Sequence, residues 1–364
     1  MSQRLNQAML QPVSGPTDIF GVAYLQLCQI SYALPSSIPA LVKTKMPPLS
    51  VNGRWECVWG PVESDDLANL VFVAAYYDGP NLPPTFAAVV TRGTDVDVDD
   101  VWGVLQQAFE DFYVIFQRSP PWLPAGSSAL VADGTIYALE TIQGFSDPTH
   151  GSLLDFVANF LQAPENQNPV LVCTGHSLGG CVTSVLAPWL QSSLALAGVS
   201  NPIVPATFAA PTAGNAAFAD YYTSTFGYCP RYYNTLDIAP LAWGDLDAIS
   251  TIYDACGIPI PDAAYLLLVA WADAMWVEGA SYSQQKSMNA PLPGTCFELY
   301  PADWYTQALM QHHTGTYMRL LGGTSIDIGP SMLARGRGRR RISRYRLQSQ
   351  IRSSDNLLLK LKER

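Results

Sequence analysis

Apolar residues recur along this chain with two different periods, and the alternation between them predicts its elements. Short apolar-rich runs at residues 54–59, 69–77, 86–91 and 169–173 read as strands, as does Arg231-Tyr232-Tyr233-Asn234-Thr235-Leu236. Longer stretches at residues 18–32, 153–161, 178–196 and 263–277 read as helices. A further helical period joins Trp102, Leu105, Phe109, Phe112 and Phe116, with Gln106, Gln107, Glu110 and Asp111 on other faces. Strands alternating with helices imply an α/β fold, a central and mostly parallel sheet flanked by helices.

One junction in this pattern carries chemistry. Gly175-His176-Ser177-Leu178-Gly179-Gly180 lies between the strand at 169–173 and the helix at 178–196. A Gly-x-Ser-x-Gly there makes a tight elbow, with glycines on either side because side chains would collide with the neighbouring strand and helix. Ser177 is therefore the candidate nucleophile. The amide of Leu178, at the helix N-terminus, would face developing negative charge.

A serine nucleophile needs a base, and the chain has four histidines, at 150, 176, 312 and 313. His176 is adjacent to Ser177 and should point elsewhere, packing or bonding locally. His150 precedes the serine, whereas hydrolases of this elbow type run in the order serine, acid, histidine. His312 and His313 are left. The acid must lie between, and Asp237 follows the strand at 231–236, just before Ile238-Ala239-Pro240 stops its continuation. Asp245, Asp247 and Asp303 are weaker candidates because no strand leads into them.

These residues resemble the class 3 lipase family. The resemblance spans residues 17–321 and rests on Val89-Val90-Thr91-Arg92-Gly93-Thr94, Ile142-Gln143-Gly144-Phe145, the elbow, residues 207–215, residues 234–240, and Gln311-His312 followed by Tyr317. One departure is Ile142, where many relatives carry a histidine. The resemblance implies an α/β-hydrolase fold with a lid helix. It places Thr94, after the Arg-Gly pair, beside Leu178 in the oxyanion hole, and it selects His312, five residues before Tyr317, with His313 as the alternative base. It puts a lid at residues 95–105, with Val101, Trp102 and Leu105 on its apolar face; a helix simply docked on the core is the competing reading. Family members build the acyl-pocket wall from the stretch before the histidine, a role suited to Trp271, Trp276 and Tyr282.

The acidic run Asp95-Val96-Asp97-Val98-Asp99-Asp100 alternates like a calcium loop, yet its sixth position is Asp100 rather than glycine and its twelfth is Gln106 rather than glutamate. A solvated loop with no metal is the expectation, and the chemistry calls for no cofactor. Seven cysteines, an odd number without metal-like spacing, leave disulfide pairing open, and Cys173 and Cys181 beside the elbow read as small buried groups. The apolar stretch at 263–277, broken by Asp273 and followed by Glu278, is too short to span a bilayer.

Composition adds the remaining limits. Of 364 residues, 48% are hydrophobic, enough for one sizeable core, and residues 1–334 read as a single domain. Charge is uneven. Residues 335–364 hold eleven Lys or Arg against two acids, a net of +9, which leaves −19 for residues 1–334 out of the total of −10. The tail reads as a disordered or vector-derived appendage, with no nucleic-acid partner expected. The N-terminus lacks a continuous apolar core, so no secretory signal is evident; the chain is expected to be cytoplasmic, or secreted with its signal removed. The function expected is carboxylic ester hydrolysis on acylglycerols through a Ser-His-Asp triad and an acyl-enzyme, its lipid substrate met at a lipid–water interface. The rivals are a feruloyl, aryl or short-chain esterase and a catalytically silent binding module.

Overall fold

The structure, a computed structural model, describes residues 18–93, 114–285, 289–298 and 303–329. Helices α1 (Ile19–Ile30) and α2 (Ile38–Lys45) lead into strands β1 (Arg54–Glu63), β2 (Leu70–Tyr77) and β3 (Pro84–Thr91). Next come β4 (Gln117–Arg118), β5 (Val131–Ala132), α3 (Asp133–Gln143), β6 (Ser146–Asp147), β7 (Gly151–Ser152) and α4 (Leu153–Gln162). Regular alternation follows: β8 (Val170–His176), α5 (Leu178–Leu196), β9 (Ile203–Phe208), α6 (Ala216–Thr225) and β10 (Arg231–Asn234). The chain then continues through α7 (Leu246–Thr251), α8 (Asp262–Glu278), β11 (Asn289–Leu292), α9 (Trp304–His312) and α10 (Thr314–Leu320).

Seven strands form one sheet in the order β1-β2-β3-β8-β9-β10-β11. Neighbours from β3 to β11 are parallel, while β2 is antiparallel to both β1 and β3. Only β2 therefore runs against the rest: the sheet is mostly parallel, as the strand-helix alternation implies, and the fold is the α/β-hydrolase type that the family resemblance implies. β3 and β8 are buried along their whole length, which is why their sequences are apolar runs without a polar face. Successive side chains of β8 go to opposite layers. Leu171 and Cys173 pack with Val182, Val185 and Leu186 of α5, whereas Val172 packs in the layer containing Leu25 of α1 and Met318 of α10.

Local signals set most boundaries. Asp18 caps α1, its Oδ1 accepting the Gly21 N–H at 2.9 Å, and α5 spans the range read from the sequence. β10 stops two residues earlier than its composition suggests, because the Asn234 side chain accepts the Leu236 N–H at 3.1 Å and turns the chain out of the sheet. α8 presents the two tryptophans named for the pocket wall differently. Trp271 is buried against Trp243, but Trp276 is 82% exposed. Five residues of helix rotate the side chain by roughly 140°, so the two tryptophans face opposite ways.

Cys256 and Cys296 form a disulfide with a sequence separation of 40. It joins the loop before α8 to the segment before α9. Cys173 and Cys181 are buried thiols, as read from their position beside the elbow. No helix among the described residues is long and apolar enough to cross a membrane. The acidic run at 95–100, Val101, Trp102 and Leu105 of the expected lid, and the basic tail lie outside the described residues.

A loop closed over this separation should stabilise the native state by roughly 2–4 kcal/mol, chiefly by restricting the unfolded chain. The double variant Cys256→Ser/Cys296→Ser is expected to lose that amount in urea unfolding, and reductant should lower the wild-type midpoint toward the variant's.

Candidate active site

The elbow is built by close backbone approach. Ser177 has φ 59° and ψ −132°, a conformation that costs a non-glycine residue about 1–3 kcal/mol and persists only where its surroundings impose it. Those surroundings leave no room for side chains on either flank. A Cβ at position 175 would lie 2.3 Å from the Gly179 carbonyl oxygen, and one at 179 would lie 2.5 Å from the Thr91 carbonyl oxygen at the end of β3. The Ser177 N–H donates to the Phe208 carbonyl at 2.9 Å, anchoring the elbow to β9. The buried Thr91 hydroxyl lies 2.7 Å from the Gly179 carbonyl oxygen and 2.7 Å from the Thr183 hydroxyl, tying β3 to the first turn of α5.

Three side chains from distant segments converge on this elbow. Ser177 Oγ lies 2.8 Å from His312 Nε2, and His312 Nδ1 lies 2.9 and 3.1 Å from the two oxygens of Asp237. A ring nitrogen facing a carboxylate carries the proton, so Nδ1 donates to Asp237 and Nε2 accepts from the serine hydroxyl. Asp237 is buried and fully engaged: its Oδ1 accepts the Ala239 N–H at 2.9 Å and its Oδ2 accepts the Tyr317 hydroxyl at 2.6 Å. Tyr317 in turn accepts the Asn234 N–H at 3.0 Å. Burial, then the Asp237 charge, pushes the Tyr317 phenol well above its ordinary pKa, so it remains a donor.

The histidine is held from two sides. The Asn234 amide donates to the Gln311 carbonyl at 2.9 Å and to its side-chain oxygen at 2.7 Å, locking the last turn of α9 to the end of β10. His176 Nε2 donates to the His312 carbonyl at 3.0 Å, and its Nδ1 accepts the Tyr32 hydroxyl at 3.1 Å. The expectation of a local bond for His176 is thereby corrected: its partners come from α9 and from the turn after α1. The strained backbone at Ser177 sends successive side chains to different sides of the elbow, and the far side happens to meet those two segments. Tyr32, Asn234 and Gln311 were not legible as supports, since each acts through a contact made only in three dimensions.

His313 does not reach Ser177; it caps α10, its Nδ1 accepting the Gly315 N–H at 3.0 Å. His150 pairs with Asp147 at 3.0 Å, away from the elbow. Leu178 opens α5 directly after Ser177, so its N–H belongs to the helix N-terminal set that no helical carbonyl satisfies. Thr94 lies outside the described residues, but Gly93 before it is so close that a Cβ there would stand 3.2 Å from the Ser177 Cβ. Among the described residues no group of three His, Cys, Asp or Glu is placed to hold a metal ion.

Comparison with known proteins finds lipases. Residues 88–245, which contain β3, the elbow and Asp237, match the family described as lipase (class 3). The chain is similar to the crystal structure of M37 lipase, at 26% identity over 87% of this chain and 92% of that one, with a TM-score of 0.66. Rhizomucor miehei lipase in a propeptide complex aligns at 21% identity over 66% of this chain and 64% of its own, with a TM-score of 0.45. The mono- and diacylglycerol lipase from Aspergillus oryzae aligns at 16% identity over 64% and 75%, with a TM-score of 0.41. No curated protein matches. The chain is a serine ester hydrolase of the α/β-hydrolase fold. Its likeness is to the class 3, triacylglycerol-lipase-like enzymes.

Burial, and secondarily the neighbouring His312, holds the His176 pKa well below the ordinary histidine value. The native ring thus refuses a proton that the unfolded chain accepts near pH 6.5, so its contribution is complete above that pH and is lost as pH falls below it. His176→Gln keeps an amide donor for the His312 carbonyl but cannot titrate. Between about pH 6 and 5 the wild type should lose roughly 1 kcal/mol per pH unit more than the variant in urea unfolding; parallel curves would contradict this.

Proposed function

We propose that the chain hydrolyses carboxylic esters of the acylglycerol type through an acyl-enzyme. The observation that carries this reading is the continuous chain of contacts from Ser177 Oγ through His312 to Asp237. Ser177 attacks the ester carbonyl as His312 Nε2 takes its proton; His312 then returns a proton to the departing alcohol. Water, deprotonated by the same nitrogen, cleaves the acyl-serine. Asp237 holds the imidazole in the productive tautomer and balances its charge, with Tyr317 and the Ala239 N–H fixing the carboxylate. The Leu178 N–H, joined by that of Thr94, stabilises the tetrahedral oxyanion, each donor worth about 3 kcal/mol when well aimed.

The class 3 lipase match and the similarity to M37 lipase favour a lipid ester over other acyl compounds. The acidic body disfavours anionic surfaces, so contact with a lipid aggregate relies on apolar residues. Residues 95–105 are assigned the role of lid in this scheme.

Ser177→Ala should lower turnover of p-nitrophenyl butyrate on the order of 10⁶-fold, and Asp237→Asn about 10⁴-fold. Wild-type turnover no faster than the uncatalysed reaction would point instead to a binding module, and wild-type-level turnover in both variants would remove Ser177 and Asp237 from the scheme. Tributyrin and longer glycerides should be cleaved faster than ferulate esters, with the tributyrin rate rising abruptly above its solubility limit. A preference for ferulate would assign an aryl esterase, and a smooth rate curve would remove the lid from the scheme.

A further inference from the structure

Arg231, the first residue of β10, is 5% exposed, yet no carboxylate among the described residues pairs with it. Its Nη1 donates to Asn289 Oδ1 and its Nη2 to the Pro240 carbonyl, both at 3.2 Å, and its guanidinium stacks over the Tyr233 ring at 4.6 Å. Nε has no partner. Asp237 acts on the guanidinium only through space, because its own oxygens are taken by His312, Tyr317 and the Ala239 N–H. Guanidinium keeps its proton even when burial pulls its pKa down, as it does here. A buried cation with no contact counter-ion is an unfavourable arrangement that a bound anion would relieve.

Arg231 lines a small cleft of about 20 Å³, partly open to solvent, between α5, α6, the β9–β10 part of the sheet and residues 283–285. Tyr222 lines it too, and its buried hydroxyl likewise has no partner. Burial holds that phenol protonated, so it is a second free donor. Gln284, on the same wall, has its amide committed to the Ala210 and Pro240 carbonyls. No acid lies among the lining residues, and Ala213 and Phe218 add apolar wall.

We propose that this cleft binds one small monovalent anion, a halide or a carboxylate no larger than acetate, held by Arg231 Nε and the Tyr222 hydroxyl. One buried cation balances one negative charge, which disfavours divalent ions. The cleft is separate from Ser177 and His312, so the site stands or falls independently of the hydrolytic scheme.

Thermal unfolding of the full chain at constant ionic strength is the test, with sodium gluconate replaced stepwise by chloride, bromide or acetate. A fitting anion should raise Tm by about 2–4 °C at concentrations well above its Kd. The halide and carboxylate arms identify which source fits better. Tyr222→Phe, which removes a hydroxyl without a partner, should fold normally and raise the half-saturating concentration about tenfold; Arg231→Met should abolish the response. Bromide-soaked crystals should show an anomalous peak within hydrogen-bond reach of Arg231 Nε. A Tm independent of the anion, a full wild-type response in Tyr222→Phe, or water alone in the cleft would overturn the proposal. Should Arg231→Met fail to fold, the Tyr222→Phe titration and the anomalous map decide.

Discussion

Backbone contact between the end of β3 and the β8–α5 elbow is the constraint on which this site depends. Gly175 faces the Gly179 carbonyl, and Gly179 faces the Thr91 carbonyl, at distances where even one methyl group would collide with backbone. That approach forces Ser177 into its positive φ and lifts its hydroxyl clear of the sheet. The same approach carries Gly93 past the serine and brings the N-terminus of α5 beside it. The positions of the proposed nucleophile, of the α5 N-terminus and of the end of β3 are thus consequences of one packing event. Its strain is supported by the buried layers on both faces of the sheet.

The proposed base is positioned by a different means. His312 ends α9, a helix far along the chain from the elbow, and hydrogen bonds rather than close packing fix its register. Asn234 grips the Gln311 carbonyl, Tyr317 joins the Asn234 N–H to Asp237, and His176 holds the His312 carbonyl from the far side. Each of these groups is buried, so each bond left unmade would expose an unsatisfied donor or acceptor to a low-dielectric interior. The network favours one geometry because the alternatives strand polar groups. The disulfide between Cys256 and Cys296 secures the segment that precedes α9, and Gln307 and Gln311 bond to Phe297 and Thr295 beside it.

Legibility in the sequence followed the range of the interaction. The apolar runs of β3 and β8, the cap at Asp18 and the extent of α5 are local, and they were readable from neighbouring residues. Ser177 was readable because glycine spacing reports crowding within one elbow. Asp237 was readable because it follows a strand and precedes a proline. Choosing His312 over His313 required a family resemblance, since adjacent histidines differ only in which way a helix end turns them. Composition likewise does not say which face of α8 meets the core, and Trp276 stands on the exposed one. The Cys256–Cys296 pairing and the supports from Tyr32 and Asn234 had no local signature.

By itself the sequence determined the alternation of strands and helices, the strained turn that presents a serine, and a short supply of bases and acids to serve it. Those features rest on side-chain size, periodicity and backbone freedom, all of which act between residues close in the chain. The tertiary structure alone decided which histidine meets the serine, which buried groups brace it, and that Arg231 is enclosed without a carboxylate from the described residues at its side. Those outcomes depend on distances between residues far apart in sequence, set when the two layers close over the sheet, and no local pattern encodes them.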